Sequence, residues 1–268
     1  EMLKLMEEIP SIQRAKVTIL HVVPPQTTAE IMTAKWEEGG RILANAIQEL
    51  QLNPNQVNSV LRQGEPKDIV CQVADEIDAD LIIMGSRGLK RLQSILANSV
   101  SQYVFQLSRR PMLLVKDDIY VKAINRVMVA VDKSDASQYC LDLALSLLKD
   151  IKGSQLILTH VMTDLKSPSA ETAELNPEKH PILAAAANEA QKQGVSSRSI
   201  LSIGKPGEKI CNLAEEMNAD LLLVGSPDRR PSIAKNFVDL DKLIGASLSD
   251  YVRINATCPV LLARTAAD

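Results

Sequence analysis

A long internal repeat constrains this chain more than any other feature of its sequence. The segment at residues 63–88, QGEPKDIVCQVADEIDADLIIMGSRG, aligns without gaps with residues 203–228, IGKPGEKICNLAEEMNADLLLVGSPD, about 140 residues downstream. Such a repeat indicates two units of one fold in a single polypeptide. We therefore predict two domains, at residues 1–118 and 124–268, joined by a short linker at residues 116–125.

The composition favours a tightly packed aliphatic core and argues against nucleic acid as an obligate partner. Hydrophobic residues make up 46% of the sequence and aromatic residues only 3%, so we expect a core of Leu, Ile, Val and Ala. The formal net charge is -3 and no basic block occurs. These features predict that no nucleic acid is bound.

The sequence gives no sign of membrane insertion or of an oxidising compartment. Its longest apolar runs, such as residues 81–84, fall far short of the roughly 18 residues that span a bilayer. The four cysteines form no C-x-x-C pair, and Cys71 and Cys211 occupy the same place in the two copies. We interpret all four as small core residues in a reducing cytoplasm, rather than as metal ligands or redox groups.

Strand and helix patterns alternate along both halves. In the second half, strands are predicted at 126–131, 155–161, 199–203, 220–224 and 259–263, and helices at 139–148, 182–193, 206–218 and 243–255. The first half supplies strands at 17–22, 57–61, 80–84 and 111–115. The alternation predicts the α/β class, with a parallel sheet in each domain and helices on both of its faces.

The first half contains no counterpart of the strand at 126–131. Aligning His21 with His160 places residues 2–9 against the helix that follows Asp132. In that register the counterpart of Asp132 falls about eight residues before Glu1. We therefore expect the first strand of the first domain to lie upstream of Glu1.

Ligands of doubly wound parallel sheets bind beyond the carboxyl ends of the strands. Two segments of the first copy that are expected there are the turn at 85–88, GSRG, and the helix start at 98–101, NSVS. Glycines let the backbone approach an anion closely, and a helix start offers free N–H groups to a phosphate. A tight turn without a ligand explains Gly85 and Gly88 equally well, and Ser99 and Ser101 would then be helix caps.

Six motifs taken together resemble the universal stress protein family. They are VAVDKS at 129–134, LTHV at 158–161, G-x-P-x-x-x-I at 204–210, ADLIIMGSRG at 79–88, NSVSQYV at 98–104 and RPMLLV at 110–115. The resemblance covers essentially the whole chain as two tandem domains. It implies that each domain has a Rossmann-like fold of the adenine nucleotide alpha hydrolase type, with a five-stranded parallel sheet.

The resemblance also implies a nucleotide site in the first domain. Many members bind ATP through a glycine, two residues, a second glycine, nine residues, and then Gly-Ser or Gly-Thr. Gly85 and Gly88 match this pattern, Asn98 replaces the third glycine, and Ser99 fits. The Asn98 side chain either crowds the phosphates or tolerates the left-handed backbone that glycine would provide.

Specific contacts and ligands follow from this resemblance. Adenine would meet the backbone of Val22, the ribose and α-phosphate would meet Met84, Gly85, Arg87 and Gly88, and the outer phosphates would meet Ser99, Val100 and Ser101. The implied ligand is ATP, with Mg²⁺ accompanying the triphosphate, and AMP, ADP or a cyclic nucleotide are alternatives.

The second copy departs from the family pattern at the opposite end of the site. Asp132 and Val161 match the family, and Gly225 and Ser247 remain in the phosphate segments. Asp228, however, replaces the second glycine. At ~4 Å and an effective dielectric constant near 20, its carboxylate would oppose a bound phosphate by about 4 kcal/mol. The segment that follows, residues 229–244, is several residues longer than in the first copy. Its basic residues Arg229, Arg230 and Lys235 would compensate if the segment folds back towards the site.

Two further features have structural interpretations. His21 and His160 each end a strand and have no Ser, Cys or Asp partner discernible from the sequence, so we predict structural roles for both.

The apolar edge strands at 112–115 and 260–263 are of the kind that pair across a homodimer in universal stress proteins. Here we expect them to pair within one chain, with pseudo-twofold symmetry.

Three functions are compatible with these residues. The first is a stress-response or signalling protein that binds an adenine nucleotide, most completely in its first domain. The second is a tandem interaction or scaffold protein whose sites have lapsed, acting on a homodimer partner or a regulatory protein. The third is a slow ATPase, although no catalytic base or Walker-type lysine is present in the phosphate turn, so an enzyme is not predicted.

Overall fold

The computed structural model describes residues 10–50, 53–86, 100–116, 123–163, 176–226 and 247–264. Several predicted features lie outside this part of the chain, namely the helix at residues 2–9, Arg87, Gly88, Asn98, Ser99 and Asp228. Within it, strands and helices alternate, which confirms the α/β class.

The described elements follow the predicted order. The strands are β1 (Val17–Val23), β2 (Val57–Gln63), β3 (Ile82–Ser86), β4 (Met112–Lys116), β5 (Arg126–Ala130), β6 (Gln155–Met162), β7 (Ser197–Ile203), β8 (Leu221–Gly225) and β9 (Val260–Ala263). The helices are α1 (Pro10–Gln13), α2 (Ala29–Glu49), α3 (Pro66–Glu76), α4 (Val100–Leu107), α5 (Asp135–Leu148), α6 (Pro181–Lys192), α7 (Pro206–Glu216) and α8 (Leu248–Asn255). Short 3-10 turns occur at Pro54–Gln56 and Pro177–Lys179. Helix α5 begins four residues earlier than predicted because Ser134 caps it at that point.

The second unit contains a complete five-stranded parallel sheet. Its strand order is β9-β8-β5-β6-β7, so β5 lies in the middle and pairs with both β6 and β8. Helices α5 and α6 contribute to a core on one face of the sheet, and α7 and α8 contribute to a core on the other face. This is the predicted doubly wound arrangement.

The four described strands of the first unit form two separate pairs. β1 pairs with β2 in a two-stranded sheet, while β3 pairs with β4 in the large sheet, and both pairings are parallel. By the repeat, β1 and β3 correspond to β6 and β8, between which the second unit places β5. Among the described residues, no strand joins β1 to β3.

The two units join through their terminal strands. β4 and β9 pair antiparallel, with Met112 opposite Leu262 and Leu114 opposite Val260. This pairing extends the sheet of the second unit to seven strands, in the order β3-β4-β9-β8-β5-β6-β7. The predicted pairing of terminal strands within one chain is therefore confirmed.

A pair of repeat-equivalent cations secures this junction in both directions. Lys116, at the end of β4, donates from Nζ to the carbonyl oxygens of Ile254 (3.0 Å) and Ala256 (2.5 Å) at the end of α8. Arg264, directly after β9, donates to the carbonyl oxygen of Gln106 (3.3 Å) at the end of α4. Each unit therefore supplies a positive charge to the carboxyl end of the other unit's last helix, where it is stabilising.

The role of Lys116 corrects one prediction. The sequence placed this residue in the interdomain linker, but it is the last residue of β4 and lies opposite Ser86 in the β3–β4 register. The side chain of Ile124, also assigned to the linker, is buried in the core at 2% exposure. Lys116 and Ile124 therefore belong to the folded units on either side of the linker.

The repeated Gly-x-Pro sequence forms the same turn in both units. Gly64 (φ 148°) and Gly204 (φ 136°) have backbone angles that favour glycine, and a Cβ on Gly64 would lie 2.7 Å from Cγ1 of Ile69. The proline two residues later begins α3 or α7 at a position where its missing N–H costs no helical hydrogen bond. The two copies therefore agree here because the backbone requires these residues.

Two apolar cores lie on opposite faces of the large sheet. Alternate residues of the strands face each side, so that Val127 and Val129 of β5 join one core while Met128 joins the other, all at 0% exposure. Both cores include residues of both units, such as Leu113 and Leu114 of β4. Burial on both faces explains why the strands read as continuous aliphatic runs.

None of the described helices is long and apolar enough to cross a membrane.

We expect Lys116→Met to lower the free energy of unfolding by about 1.5–3 kcal/mol, the usual contribution of hydrogen bonds that involve a charged group. The methionine keeps the aliphatic stem and leaves the carbonyl oxygens of Ile254 and Ala256 without this donor. Urea denaturation followed by circular dichroism measures the change. Lys16→Met, on an exposed lysine before β1, is the matched control and should leave the midpoint unchanged. Equal midpoints for the two variants would contradict the interaction.

Candidate functional site

The carboxyl edge of the second unit brings several of the predicted site segments together. The last β5–β6 pair is Ala130 with Thr159, and Val131 donates its N–H to the carbonyl oxygen of Thr159 at 2.8 Å. β6 continues beyond this point through Val161 and Met162, which pair only with β7. Asp132 follows β5 and Gly225 ends β8, so both lie at the same edge as Val161. The position where β5 separates β6 from β8 is the switch point at which such sheets bind ligands.

The turn after β5 holds the carboxylate of Asp132 in a fixed position. Oδ1 accepts hydrogen bonds from the backbone N–H of Ser134 (2.8 Å) and from its hydroxyl (2.5 Å). The N–H of Asp132 donates to Oγ of the buried Ser137 at 2.8 Å. No described residue donates to Oδ2, and Asp132 is exposed. The carboxylate is therefore oriented from behind and keeps one oxygen for a donor such as a sugar hydroxyl.

His160 supports this turn from the neighbouring strand. Its Nδ1 lies 2.7 Å from the carbonyl oxygen of Val131, the residue before Asp132, so the ring donates a proton there and holds the Nδ1–H tautomer. The contact accounts for His160 as a positioning residue, in line with the structural role predicted for it.

His180, which precedes α6, stacks on the ring of His160. The ring centroids are 4.7 Å apart and the planes are inclined by 27°. Burial lowers the pKa of His180 below its usual value, and the neighbouring His160 and Lys133 lower it further. A neutral His180 places no positive charge against the ring of His160.

Gly225 has a packing role that needs no ligand. A Cβ at this position would lie 2.8 Å from the backbone carbon of Ala136 and 2.8 Å from the backbone nitrogen of Ser137. The start of α5 therefore approaches the end of β8 more closely than any side chain permits. This packing explains Gly225 as well as an anion would.

The hydroxyl groups near α8 form a buried chain. Oγ of Ser249 lies 3.1 Å from Oγ of Ser226 and 3.0 Å from Oγ of Ser247. Ser247 caps α8 by accepting from the N–H of Asp250 at 3.1 Å, and its hydroxyl donates to Oδ2 of Asp250 at 2.8 Å. The Ser247 hydroxyl is thus already engaged as a helix cap, the alternative that the sequence left open for its counterpart Ser99.

An ion pair of the second unit lies beneath this chain. Asp250 and Arg253 are 1% and 3% exposed, and the Arg253 guanidinium lies 3.8 Å from Oδ1 of Asp250. Burial lowers the pKa of Arg253, although the nearby Asp250 opposes that shift. The first copy has Gln102 and Phe105 at these positions. The two units therefore have the same backbone structure here and differ in the charge of two buried positions of their last helix.

The predicted site of the first unit is described only in part. Val22 lies near the end of β1, Met84 and Gly85 lie in β3, and Val100 and Ser101 begin α4. Ser101 is buried at 5% exposure, like its equivalent Ser249. Arg87, Gly88, Asn98 and Ser99 lie outside the described residues, so the phosphate contacts assigned to them stay predictions.

The cysteines lie in or beside the cores. Cys140, Cys211 and Cys258 are buried and Cys71 is half-buried, and burial raises the thiol pKa to about 12 for Cys140 and Cys258 and to about 11 for Cys71 and Cys211. Such thiols are poor nucleophiles near neutral pH. Within the described ranges, no three or more His, Cys, Asp or Glu side chains cluster as a metal site.

Sequence reasoning missed some of the residues that hold the site in place. Ser134 belongs to the VAVDKS motif, but Ser137, which also orients Asp132, was not predicted, although serines at a helix start are a recognisable turn and cap signal. His180 gave a weaker signal, because only its place before Pro181 marks it as the start of a helix. Lys116 and Arg264 could have been found from the repeat, since each follows an apolar terminal strand.

Comparisons with known proteins agree with this architecture. The family model described as "Universal stress protein family" matches residues 3–116 and again 123–264. Universal stress protein YxiE of Bacillus subtilis is 32% identical over 120 residues, which are 39% of this chain and 81% of that protein. A universal stress protein from Archaeoglobus fulgidus has a similar fold, with a TM-score of 0.75, 21% identity, and coverage of 98% of this chain and 91% of that one.

A single-domain structure was also matched. It is a universal stress protein family protein from Arabidopsis thaliana with AMP bound, 21% identical, with a TM-score of 0.39 and coverage of 54% of this chain and 93% of that one.

Gly225→Ala should destabilise the protein by about 1–3 kcal/mol, because the added methyl group would overlap backbone atoms that cannot move without shifting α5. Thermal or urea unfolding gives the magnitude. Gly40→Ala is the matched control: a Cβ on this helical glycine would meet no neighbouring atom within 4 Å, so the same methyl group should stabilise α2. An unchanged midpoint for Gly225→Ala would mean that the glycine is kept for a ligand.

The pKa of His180 should be measurable by NMR titration of its ring protons, with a midpoint below the ordinary histidine value of 6.5. As the pH falls through 6.5, the unfolded chain binds a proton that the folded chain still refuses, so the free energy of unfolding decreases. Lys133→Met removes a nearby positive charge and should raise the midpoint. A midpoint of His180 at or above 6.5 would contradict the proposed environment.

Proposed function

This chain belongs to the universal stress protein family, and we propose that it functions by binding an adenine nucleotide at the carboxyl edge of its second unit. The nucleoside would lie in the space between the turn at Asp132 and the projecting end of β6 at Val161. The protein is proposed to be a binding protein for stress response or signalling and not an enzyme.

The observation that carries the proposal is the prepared carboxylate of Asp132. Its Oδ1 is held by Ser134, its backbone is held by Ser137, and the preceding carbonyl is held by His160. A carboxylate that is oriented in advance binds the hydroxyl of a ribose without losing side-chain freedom at that moment. Acidic residues that follow a strand commonly take this role in dinucleotide-binding folds.

The backbone near Val161 offers the second part of the site. β6 extends past the last residue of β5 that pairs with it, so this stretch of β6 has a neighbouring strand on one side only. Backbone N–H and C=O groups on the free side would meet the edge of an adenine ring. His160 and His180, stacked beside this overhang, would form an aromatic wall.

The phosphate end of the second unit favours a short phosphate chain. Ser247 uses its hydroxyl as a helix cap and Gly225 is explained by packing. The carboxylate of Asp228 would repel each additional negative charge of a longer phosphate chain, so its effect grows from AMP to ADP to ATP. We therefore propose that this unit prefers AMP to ADP and ATP. The first unit, whose Gly85 and Gly88 fit the family's phosphate pattern, is proposed to be the place where ATP would bind with its Mg²⁺.

The Arabidopsis thaliana protein of the universal stress protein family has AMP bound in its structure. Its ligand is a property of that protein. For this chain, the support comes from Asp132 and its partners.

A second candidate function is a tandem interaction protein that binds no nucleotide. Two observations favour it, because Ser247 and Gly225 both have roles in the fold that leave nothing for a ligand to explain. The partner would then be a second copy of this chain, in a homodimer, or a regulatory protein.

Isothermal titration with AMP, ADP and ATP tests the proposal. Asp132→Asn should weaken AMP binding by about tenfold or more, since a hydrogen bond to a charged group contributes roughly 1.5–3 kcal/mol and each 1.4 kcal/mol is tenfold. Asp142→Asn, on the exposed side of α5, is the control with the same change of charge and should bind AMP as the native protein does.

The same titrations distinguish the two units. Gly88→Asp should leave AMP binding by the second unit unchanged and should weaken ATP binding in the first. Loss of AMP binding in Gly88→Asp, with Asp132→Asn unaffected, would move the site to the first unit. If the native protein gives no binding heat with any of the three nucleotides, the interaction protein becomes the better description.

A further inference from the structure

The ring of His180 lies in a place that suits only its neutral form. It stacks on His160 with the ring centroids 4.7 Å apart, and its Nδ1 is buried without a hydrogen-bond partner in the described part of the chain. An imidazolium carries an N–H on both nitrogens, so protonation would create a buried donor at Nδ1 with no acceptor to meet it. The neutral ring avoids this by carrying its hydrogen on Nε2.

The surroundings of His180 do not compensate a positive charge on its ring. His180 is the N-cap residue of α6, where the helix dipole is positive. The elements next to it carry exposed charges of both signs, namely Asp132, Lys133, Asp135, Glu178, Lys179 and Arg198. None of these carboxylates is hydrogen-bonded to the ring among the described residues. Burial, His160 and Lys133 all lower the pKa of His180.

His180 reaches the candidate nucleotide site through His160. Nδ1 of His160 donates to the carbonyl oxygen of Val131 at 2.7 Å, and Asp132 is the next residue. Because His180 covers one face of the His160 ring, it restricts rotation of that ring away from the carbonyl oxygen. The contacts therefore run in series from His180 through His160 and Val131 to Asp132.

The first unit packs its equivalent histidine differently. A Cβ on Gly39 of α2 would lie 2.8 Å from Cδ2 of His21 and 3.3 Å from its Nε2. A glycine thus meets His21 where the ring of His180 meets His160. Within the described ranges, the stacked pair of imidazole rings is a property of the second unit.

We propose that His180 is a positioning residue whose protonation state controls nucleotide binding by the second unit. Neutral His180 supports binding, because it keeps His160 against the carbonyl oxygen of Val131 and so holds the turn that carries Asp132. Protonation drives the ring out of the stack, loosens this turn, and removes the aromatic wall beside Val161. The inference rests on the proposed nucleotide site and adds a proton dependence to it.

Attraction between the added charge and a phosphate does not reverse this sign. The phosphate end of the second unit lies at Gly225 and Ser247. His180 and Ser247 begin helices that contribute to cores on opposite faces of the sheet. Attraction between exposed charges at such separations is weakened by salt, whose Debye length is about 10 Å at 0.1 M. Loss of the positioned carboxylate of Asp132 therefore outweighs it.

Isothermal titration of the full chain with AMP from about pH 7.5 to about pH 5 tests the proposal on the native protein and on His180→Phe. Phenylalanine keeps a ring for the stack and takes up no proton. The phosphate of AMP titrates in this range, but it does so for both proteins and cancels in the ratio of their dissociation constants. The ratio of native to variant should be constant above pH 6.5, and below the His180 midpoint it should rise by up to about tenfold per pH unit.

Two further variants separate a proton effect from a packing effect. His180→Ala should weaken AMP binding at about pH 7.5, where His180→Phe should bind like the native protein because it retains the stack. His21→Gln removes the unstacked histidine of the first unit, so it is the matched control and should keep the native pH profile.

NMR titration of the His180 ring protons gives a readout that needs no variant. AMP should lower the midpoint of His180 in the native protein, because the nucleotide binds the neutral form. An unchanged midpoint with AMP, a midpoint below about pH 5, or a constant ratio of dissociation constants would overturn the proposal. If AMP gives no heat with the native protein at about pH 7.5, the proposed nucleotide site fails too, whereas AMP binding without the pH dependence overturns the role of His180 alone.

Discussion

The antiparallel pairing of β4 with β9 is the constraint on which the rest of the structure depends. It joins two parallel sheets into one, so that both cores contain residues of both units. The pairing alone would leave the carboxyl ends of α4 and α8 without charged partners at the junction. Lys116 and Arg264 supply these, each reaching from one unit to the last helix of the other. The orientation of the units is thereby fixed by backbone pairing at the centre and by charge at both sides.

On this common frame the two units have diverged where charge matters. The helix start that holds Gln102 and Phe105 in the first unit holds Asp250 and Arg253 in the second, and Arg264 stacks on Phe105 with its guanidinium carbon 4.2 Å from the ring centre. A buried ion pair such as Asp250–Arg253 is weak evidence for stability, because desolvation offsets much of the attraction. Asp250 instead accepts a hydrogen bond from the hydroxyl of Ser247, the cap of α8. This hydroxyl is therefore not available to a phosphate.

The fold could be predicted from the sequence almost completely, whereas the site could be predicted only in outline. The repeat, the alternating strands and helices and the two apolar terminal strands each carry a local signal, and the structure confirms the class and the pairing that they indicate. Lys116 was misplaced because a basic residue after an apolar run resembles the start of a linker, and only its contacts across the junction show otherwise. Asp132 is held in place by Ser134, Ser137 and His160. The contact made by His160 depends on the pairing of β6 with β5, which sequence spacing does not reveal.

The central strand of the second unit, β5, connects the stability of the fold to the chemistry of the sheet edge. In the second unit, Asp220 holds β5 at the amino end and His160 holds it at the carboxyl end, so the position of Asp132 follows from contacts at both ends of the strand. β5 is also fully buried, with Val127, Met128 and Val129 at 0% exposure, and it cannot shift without disturbing both cores. A ligand bound to Asp132 would therefore stabilise the centre of the sheet and not a peripheral loop.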